Sequence, residues 1–170
     1  MSIAIWNPFT HALVKQIEDA HEYTIICLVN LGSNYLASGA DDDVIKIWET
    51  VTFTFVRRLV GHDNSIYALE ILSNGYLASG SLDMYVGIWD PISGQLIDYF
   101  LPPLNTQVNS IKQLDNGLLS IVGNSKIMYF LNMTSRQFQN LTLQSANTNA
   151  FATVLYNNNT ILSTVYGYKV

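Results

Sequence analysis

A short apolar motif that ends in an aromatic residue recurs along the chain at nearly constant intervals. Its four copies are Ile3-Ala4-Ile5-Trp6, Ile45-Lys46-Ile47-Trp48, Val86-Gly87-Ile88-Trp89 and Ile127-Met128-Tyr129-Phe130. A second motif, Leu36-Ala37-Ser38-Gly39, returns as Leu77-Ala78-Ser79-Gly80, more weakly as Leu118-Leu119-Ser120-Ile121, and weakest as Ile161-Leu162-Ser163-Thr164. Successive copies lie 41 to 43 residues apart. A fixed period of about 40–45 residues predicts a row of similar β-sheet units.

Within one period the residue pattern predicts four short β-strands. They fall at 65–71, 76–80, 85–89 and 95–100, and Gly, Pro, Asn, Asp or Ser separates each strand from the next. Such tight connections favour antiparallel pairing between neighbours. No segment has apolar residues at helical spacing with capping residues, so the pattern predicts no helix. The expected fold class is all-β.

Composition limits the partners and the compartment. Only 12% of the 170 residues are charged, 49% are hydrophobic, and the net charge is −5 with 8 Lys and Arg in total. This predicts a packed globular domain without the basic surface that nucleic acid or an anionic membrane requires. The single cysteine, Cys27, excludes an internal disulfide, and the N-terminal residues do not resemble a signal peptide. We therefore expect a cytoplasmic protein.

Two dipeptides frame each of two units. Gly61-His62 precedes the first strand of one unit and Trp89-Asp90 ends its third strand, while Ala20-His21 and Trp48-Glu49 stand at the same places one period earlier. In this pattern the chain resembles the WD-repeat (β-transducin-like) family from end to end. The resemblance implies a β-propeller, in which each unit is a four-stranded blade.

The resemblance also implies a buried network of His, Ser, Asp and Trp within each blade. Carried over, its members are His21, Ser38, Asp42 and Trp48 in one unit and His62, Ser79, Asp83 and Trp89 in the next. The third unit departs from the family pattern. There Leu101-Pro102-Pro103-Leu104 replaces Gly-His, Asn124 replaces the turn aspartate, Phe130 replaces tryptophan, and only Ser120 remains. We expect apolar packing to hold this blade.

The repeat divides the chain into one propeller region, 1–170. It contains a half-blade at 1–19, complete blades at about 20–60, 61–101 and 102–144, and another half-blade at about 145–170. The two halves could join into a fourth blade and close a small ring. Because WD-repeat rings normally hold about seven blades, an incomplete array is favoured over a closed four-bladed ring. Open ends of such an array predict self-association.

The sequence offers no convincing catalytic, cofactor or metal site. His62, Asp83 and Ser79 could pass for a hydrolase triad, but the same trio recurs one period earlier, which a structural role explains better. Asp41-Asp42-Asp43 lacks the distributed oxygens of a calcium loop, and the histidines and cysteine are not at zinc-ligand spacing. Arg57-Arg58 is the only pair of adjacent basic residues, and its neighbours do not match the phosphoinositide motif of lipid-binding propellers. We predict a protein that is not an enzyme and carries no cofactor or metal.

The predicted function is that of a scaffold that binds other proteins or peptides through a propeller rim. The alternative is a detached regulatory or sensor portion of a larger WD-repeat enzyme or ATPase. In the family, the residues that flank the inward apolar residue of each first strand, and the residue before the turn aspartate, form the favoured binding rim. By position these are Thr24, Ile26, Asp41, Ser65, Tyr67, Leu82, Gln107 and Asn109, with Gly123 completing the third unit.

Overall fold

The structure is a computed structural model that describes residues 1–125 and 127–142, together with the backbone of 149–156 and 160–166. A first pair of strands, the N-terminal half-blade, consists of β1 (Ile3–Trp6) and β2 (Leu13–Ile17). Blade 1 comprises β3 (Ile25–Gly32), β4 (Tyr35–Ala40), β5 (Ile45–Glu49) and β6 (Thr54–Leu59). Blade 2 comprises β7 (Ile66–Ile71), β8 (Leu77–Ser81), β9 (Val86–Trp89) and β10 (Leu96–Phe100). Blade 3 comprises β11 (Val108–Gln113), β12 (Leu119–Gly123), β13 (Ile127–Asn132) and β14 (Gln137–Thr142), and the C-terminal half-blade comprises β15 (Asn149–Tyr156) and β16 (Thr160–Tyr166).

Each complete blade is an antiparallel meander in which consecutive strands pair. The prediction of an all-β array with three four-stranded blades and a two-stranded unit at each end is confirmed. Along residues 1–125 and 127–142 every regular element is a strand, because the short apolar runs are separated by turn residues. None of the described residues forms an apolar helix of membrane-spanning length.

Irregularities in strand pairing identify which strands each half-blade carries. The first strand of every complete blade has a register shift near its start, for example between Ile25 and Cys27, and β15 has one between Ala150 and Ala152. In blade 1 the third strand shifts between Ile47 and Trp48, and β1 shifts between Ile5 and Trp6. The N-terminal half-blade therefore supplies a third and a fourth strand, and the C-terminal half-blade supplies a first and a second.

The hydrophobic core lies between the blades, not within them. One cluster packs the N-terminal half-blade on blade 1 around Ile3 and Trp48, a second joins blades 1 and 2, and a third joins blades 2 and 3. Glycine allows the closest approach at two of these contacts. A Cβ atom on Gly39 would lie 2.6 Å from Cγ2 of Ile66, and one on Gly80 would overlap Cγ1 of Val108. Sheet faces pack tightly here because these two positions have no side chain.

Blade 3 follows a period of 42 residues from blade 2, which corrects the predicted alignment by one position. Leu119 pairs with Leu131, as Leu77 pairs with Trp89 in blade 2. The serine position of blade 3 is therefore held by Ile121, and the tryptophan position by Leu131. The prediction that assigned Ser120, Asn124 and Phe130 to network positions is wrong, because an extra residue falls in the loop 101–107. By the same register the turn-aspartate position belongs to Ser125.

The two half-blades remain separate sheets. The described strands form no ladder between β16 and β1, so they leave the array open instead of closing four blades into a ring. The N-terminal half-blade, which has no first or second strand, covers only the part of blade 1 around Trp48, Ile25 and Leu36. The side chain of Leu28 on β3 is consequently 51% exposed, whereas its counterpart Leu69 in blade 2 packs against blade 1.

Candidate functional site

In blade 1 the structure brings His21, Ser38, Asp42 and Trp48 into one hydrogen-bonded chain. Nδ1 of His21 lies 2.8 Å and 2.9 Å from the two carboxylate oxygens of Asp42, and its Nε2 lies 2.7 Å from Oγ of Ser38. The indole N–H of Trp48 donates to the same Oγ at 2.8 Å. Because the carboxylate of Asp42 only accepts, Nδ1 of His21 carries a proton. With a neutral ring, Nε2 accepts from the hydroxyl of Ser38, whose oxygen accepts in turn from Trp48.

Blade 2 repeats this arrangement and extends it. Nδ1 of His62 lies 2.7 Å from Asp83, Nε2 lies 2.7 Å from Oγ of Ser79, and Trp89 donates to Ser79 at 2.7 Å. In addition, the hydroxyl of Tyr99 donates to Oδ2 of Asp83 at 2.6 Å.

Repeat analysis did not indicate the extra member of the blade 2 network. Tyr99 lies across from Gly87 on β9, whereas blade 1 has Arg58 across from Lys46 at the corresponding pair. The tyrosine ring stacks on Tyr85 with 4.5 Å between ring centroids. Neither tyrosine has an aromatic counterpart in blade 1, where Val44 and Arg58 stand at the same positions, so the repeat gave no signal for this contact.

Burial and hydrogen bonding shift the pKa values of two network members. Burial lowers the pKa of His21 below its ordinary value of 6.5, although Asp42 acts in the opposite direction, and the nearby Lys46 lowers it further. For Asp83, burial alone would raise the pKa, but hydrogen bonds from His62 and Tyr99 outweigh burial and hold it well below 3.8. The folded state therefore favours a neutral His21 and an ionised Asp83.

Acidification should therefore destabilise the fold in two steps. The pKa of His21 is lower in the folded than in the unfolded chain, so its stabilising contribution is complete above pH 6.5 and decreases as pH falls through the folded-state value. The contribution of Asp83 is complete above pH 3.8 and decreases below it. Denaturant midpoints measured between pH 8 and pH 3 should fall in both windows. A His21→Gln variant should lose the first decline and keep the second; an unchanged first decline would contradict the assignment to His21.

In blade 3 apolar contacts replace this network. Ile121 and Leu131 are fully buried in the cluster between blades 2 and 3, together with Leu104 from the preceding loop. Ser125 at the turn accepts from the backbone N–H of Ile127 at 3.2 Å, much as Asp83 accepts from Tyr85. The expectation of apolar packing in this blade agrees with these contacts, although the residues that provide it differ from those predicted.

The predicted rim residues lie along one edge of the array. We define the rim as the edge that carries the loops 18–24, 60–65 and 101–107 and the turns 41–44 and 82–85. The backbone N–H of Asp41 donates to the carbonyl of Thr24 at 2.9 Å, and Leu82 makes the same bond to Ser65. Each of these bonds joins a loop to the neighbouring turn. The residue that follows Asp41 or Leu82 in its turn, Asp42 or Asp83, is hydrogen-bonded to the histidine of its network. The rim is thus held rigidly by buried contacts.

The rim residues differ in how much surface they offer. Thr24 and Asp41 are exposed, Leu82 is 37% exposed, and Ile26, Tyr67, Gln107 and Asn109 are half-buried. Ser65 is only 8% exposed, because the adjoining Asn64 side chain and the turn at Leu82 cover it. Ser65 therefore supports the rim from beneath and offers almost no contact surface. The prediction of Gly123 for the rim is wrong, because the 42-residue register aligns Gly123 with Ser81 and leaves Asn124 at the position of Leu82. A Cβ atom at Gly123 would overlap the carbonyl of Gln107, so the backbones are in direct contact at this position.

The rim between blades 1 and 2 is strongly acidic. Partial burial and the charges of Asp42, Asp63, Asp83 and Asp41 raise the pKa of Asp43. Across the described residues no three His, Cys, Asp or Glu side chains are arranged to hold a metal ion. What the acidic rim can do chemically is attract positive charge.

The sequence matches the family model "WD domain, G-beta repeat" at residues 13–49 and 53–90, which together run from β2 to the end of β9. Each segment contains the complete His, Ser, Asp and Trp set of one network. These two segments are WD repeats. A search of curated protein sequences found no significant match.

Solved structures of WD-repeat propellers resemble this WD-repeat chain over nearly its full length. The "Structure of U3-55K" and the "Crystal structure of RRP9 WD40 repeats" each match with a TM-score of 0.86 at 18% identity, covering 98% of this chain and 54% of theirs. A chain in the "Crystal Structure of Mitotic Checkpoint Complex" matches with a TM-score of 0.83 at 20% identity, covering 99% of this chain and 55% of that one. The chain spans about half the length of the propellers it resembles.

Proposed function

We propose that this WD-repeat chain is a non-catalytic scaffold that holds a protein or peptide partner on its rim, at the junction of blades 1 and 2. The observation that carries the proposal is the rigid presentation of Asp41 and Leu82. Each lies next to an aspartate fixed in a buried network, and each is itself tied to the neighbouring loop. Binding to such preordered residues costs little conformational entropy.

Tyr67 provides the second part of the proposed contact. It lies on β7, one strand away from the turn that carries Leu82, and is half-buried at the inner side of the rim. A tyrosine offers a large ring with a polar tip and is enriched among residues that dominate binding energy. An apolar side chain at an exposed turn, such as Leu82, is not required by the fold.

Charge supports a basic partner segment. Partial burial and the neighbouring rim carboxylates raise the pKa of Asp43, and the whole chain has a net charge of −5. Opposite charge on a partner would raise its association rate and select against acidic competitors. The same charge disfavours nucleic acid and anionic membranes, and we propose a cytoplasmic protein for which neither is a ligand.

The rim proposal predicts that Tyr67→Ala combined with Leu82→Ser abolishes partner capture and leaves the melting temperature nearly unchanged. The tagged chain is used to capture proteins from cell extract, and the captured set is compared with that of the wild type at low and at high salt. A matched control, Tyr76→Ala with Ile92→Ser, removes a tyrosine and an aliphatic residue from exposed turns at the opposite edge. Retained capture by the rim variant would move the site to that edge or to the outer strands.

A second candidate function is that of a regulatory portion of a larger WD-repeat enzyme or ATPase. The exposed Leu28 favours it, because further blades of a longer protein would cover this face of blade 1. The coding sequence upstream and downstream of the segment that encodes this chain would distinguish the two candidate functions. Additional in-frame blades followed by a catalytic domain would favour the second, and their absence would favour the first.

A further inference from the structure

A cavity of about 410 Å³ lies between blades 1 and 2 at the edge opposite the rim, and we name it the interblade groove. Leu31, Ile47 and Val56 give it an apolar floor, and all three belong to or pack against the cluster that joins these blades. Tyr35 and Ile92 also line the groove and are exposed, so its apolar lining continues onto the surface. Its volume is within the range of ligand pockets.

Arg57 on β6 brings a positive charge into this apolar groove. Its side chain is half-buried, and among the described residues it makes no hydrogen bond or ion pair. Nε of Arg57 is buried without a hydrogen-bond partner. A Cβ atom added to Gly94 would lie 3.7 Å from Nη1 of Arg57, which places the guanidinium beside the turn 90–94 of blade 2. Buried polar atoms nearly always have a partner, so this guanidinium is an exception that requires an explanation.

The next junction along the array contains the ion pair that is missing here. By its pairing with the third strand, Asp98 on β10 occupies in blade 2 the position that Arg57 occupies in blade 1. Asp98 forms an ion pair with Arg136, in the corresponding turn of blade 3. Gly94 stands in blade 2 where Arg136 stands in blade 3, one period of 42 residues apart, and both have positive φ. The junction of blades 1 and 2 therefore has the charged strand residue, but glycine replaces its partner.

Asp90, in the same turn as Gly94, does not replace the missing partner. Its carboxylate accepts from the backbone N–H of Ile92 at 2.8 Å and from the hydroxyl of Ser93 at 2.7 Å. These hydrogen bonds, that of Ser93 above all, hold the pKa of Asp90 below its ordinary value, and the charge of Arg57 contributes less. Asp90 is thus bound within its own turn, and the guanidinium stays available to another carboxylate.

We propose that the interblade groove binds an acidic peptide segment of a partner protein. A carboxylate of the segment binds the terminal nitrogens of Arg57, and an aliphatic side chain next to it packs on Ile47 and Val56. The planar guanidinium donates to a carboxylate in a fixed geometry, and partial burial strengthens the attraction. The exposed apolar surface of Tyr35 and Ile92 beyond the groove suits a peptide better than a small acid, which would leave it uncovered.

This site is independent of the proposed rim site. The groove and the rim lie at opposite edges of the array and select opposite charges, so failure of the groove would leave the proposed function untouched. Ile92→Ser, which is part of the control for the rim, should weaken acidic peptides and leave capture of basic partners unchanged.

Peptide selection supplies the probe for the groove. Random peptides displayed on phage are depleted on the immobilised Arg57→Gln variant and then selected on the wild-type chain. We expect the selected sequences to be enriched in Asp or Glu within two positions of Leu, Ile or Phe. Selection of peptides without an acidic residue, or of none, would overturn the proposal.

The affinity of one selected peptide, carrying a fluorescent label, then tests the role of the guanidinium. We expect Arg57→Gln to weaken binding about tenfold, since a hydrogen bond to a charged group is lost. Arg58→Gln is the matched control, because it removes the same charge from the adjacent, exposed position and should change the Kd less than about twofold. Replacing the acidic residue of the peptide by its amide should weaken binding to the wild type and have no further effect on Arg57→Gln. Equal losses for the two arginine variants would indicate attraction by net charge alone and contradict the site.

Gly94→Asp gives a test in which Arg57 is kept. This turn position accepts a side chain, since Phe53 in blade 1 and Arg136 in blade 3 occupy it with positive φ, and the nearest atom to a Cβ on Gly94 is Cδ of Arg57 at 3.5 Å. We expect the new carboxylate to bind Arg57 and weaken the peptide about tenfold. The control Gly94→Asn, of the same shape without the charge, should stay within about threefold of the wild type. Unchanged peptide binding by Gly94→Asp, in a chain whose melting temperature shows that it is folded, would overturn the proposal.

Discussion

Replacing Asp83 by alanine should lower the free energy of unfolding by about 3 kcal/mol. The carboxylate accepts from Nδ1 of His62, from the hydroxyl of Tyr99 and from backbone N–H groups at Asp63 and Tyr85. Each buried donor left without an acceptor costs about 1–3 kcal/mol, and donors that reach water cost less. Urea unfolding followed by circular dichroism measures the change.

The matched control for this substitution is Ser125→Ala, at the corresponding turn position of blade 3. Among the described residues the hydroxyl of Ser125 bonds to the backbone of Ile127 in its own turn, so we expect a loss of about 1 kcal/mol or less. Equal losses for Asp83→Ala and Ser125→Ala would contradict a network that stabilises blade 2 specifically. Tyr99→Phe should give an intermediate loss, because it removes a single donor to Asp83.

Gly80→Ala should destabilise the protein by about 3 kcal/mol through a different mechanism. The added Cβ atom would overlap Cγ1 of Val108 and lie 3.0 Å from Cδ1 of Ile111, both on the first strand of blade 3. Overpacking of a rigid contact typically costs 1–3 kcal/mol, and here neither backbone can move without disturbing a four-stranded sheet. The free energy of unfolding in urea is again the quantity to measure.

A second substitution distinguishes this clash from a general effect of alanine on the strand. Val108→Ala removes the atom that the new methyl group would overlap. The double variant Gly80→Ala with Val108→Ala should be more stable than Gly80→Ala alone, although Val108→Ala alone removes buried methyl groups and is destabilising. Additive losses in this double-mutant cycle would show that the two blades do not meet as closely as Gly80 and Val108 indicate.

Much of the fold could be predicted because the same local pattern occurs several times. Turn residues and apolar alternation locate a strand only approximately, but a motif repeated at one period locates the strands of every blade together. The error in blade 3 arose from that reliance on the period, since Ser120 looked like the surviving network serine. A better marker was present in the sequence: Asn116-Gly117 repeats the turn Asn74-Gly75 at a spacing of 42 residues, and Gly75 and Gly117 both have positive φ.

The site could be predicted less completely than the fold. The paired networks followed from the family resemblance, and the structure brings the eight residues together as two hydrogen-bonded chains. The contact of Tyr99 depends on which residue lies across the sheet, and repeat spacing does not report that relation. The burial of Ser65 depends on the turn from the adjacent hairpin, which closes over it. Both features follow from cross-strand geometry rather than from residue type.

The position of blade 2 in the array gives it a distinct part in the cooperativity of unfolding. It is the described blade that has a complete four-stranded sheet on either side, and all residues of β8 and β9 are buried. Its loss would expose two hydrophobic interfaces at once, whereas melting at either end of the array exposes one. Partial unfolding should therefore proceed inward from the two ends. The central blade, which also carries the larger of the two polar networks, persists longest and governs the kinetic stability of the whole chain.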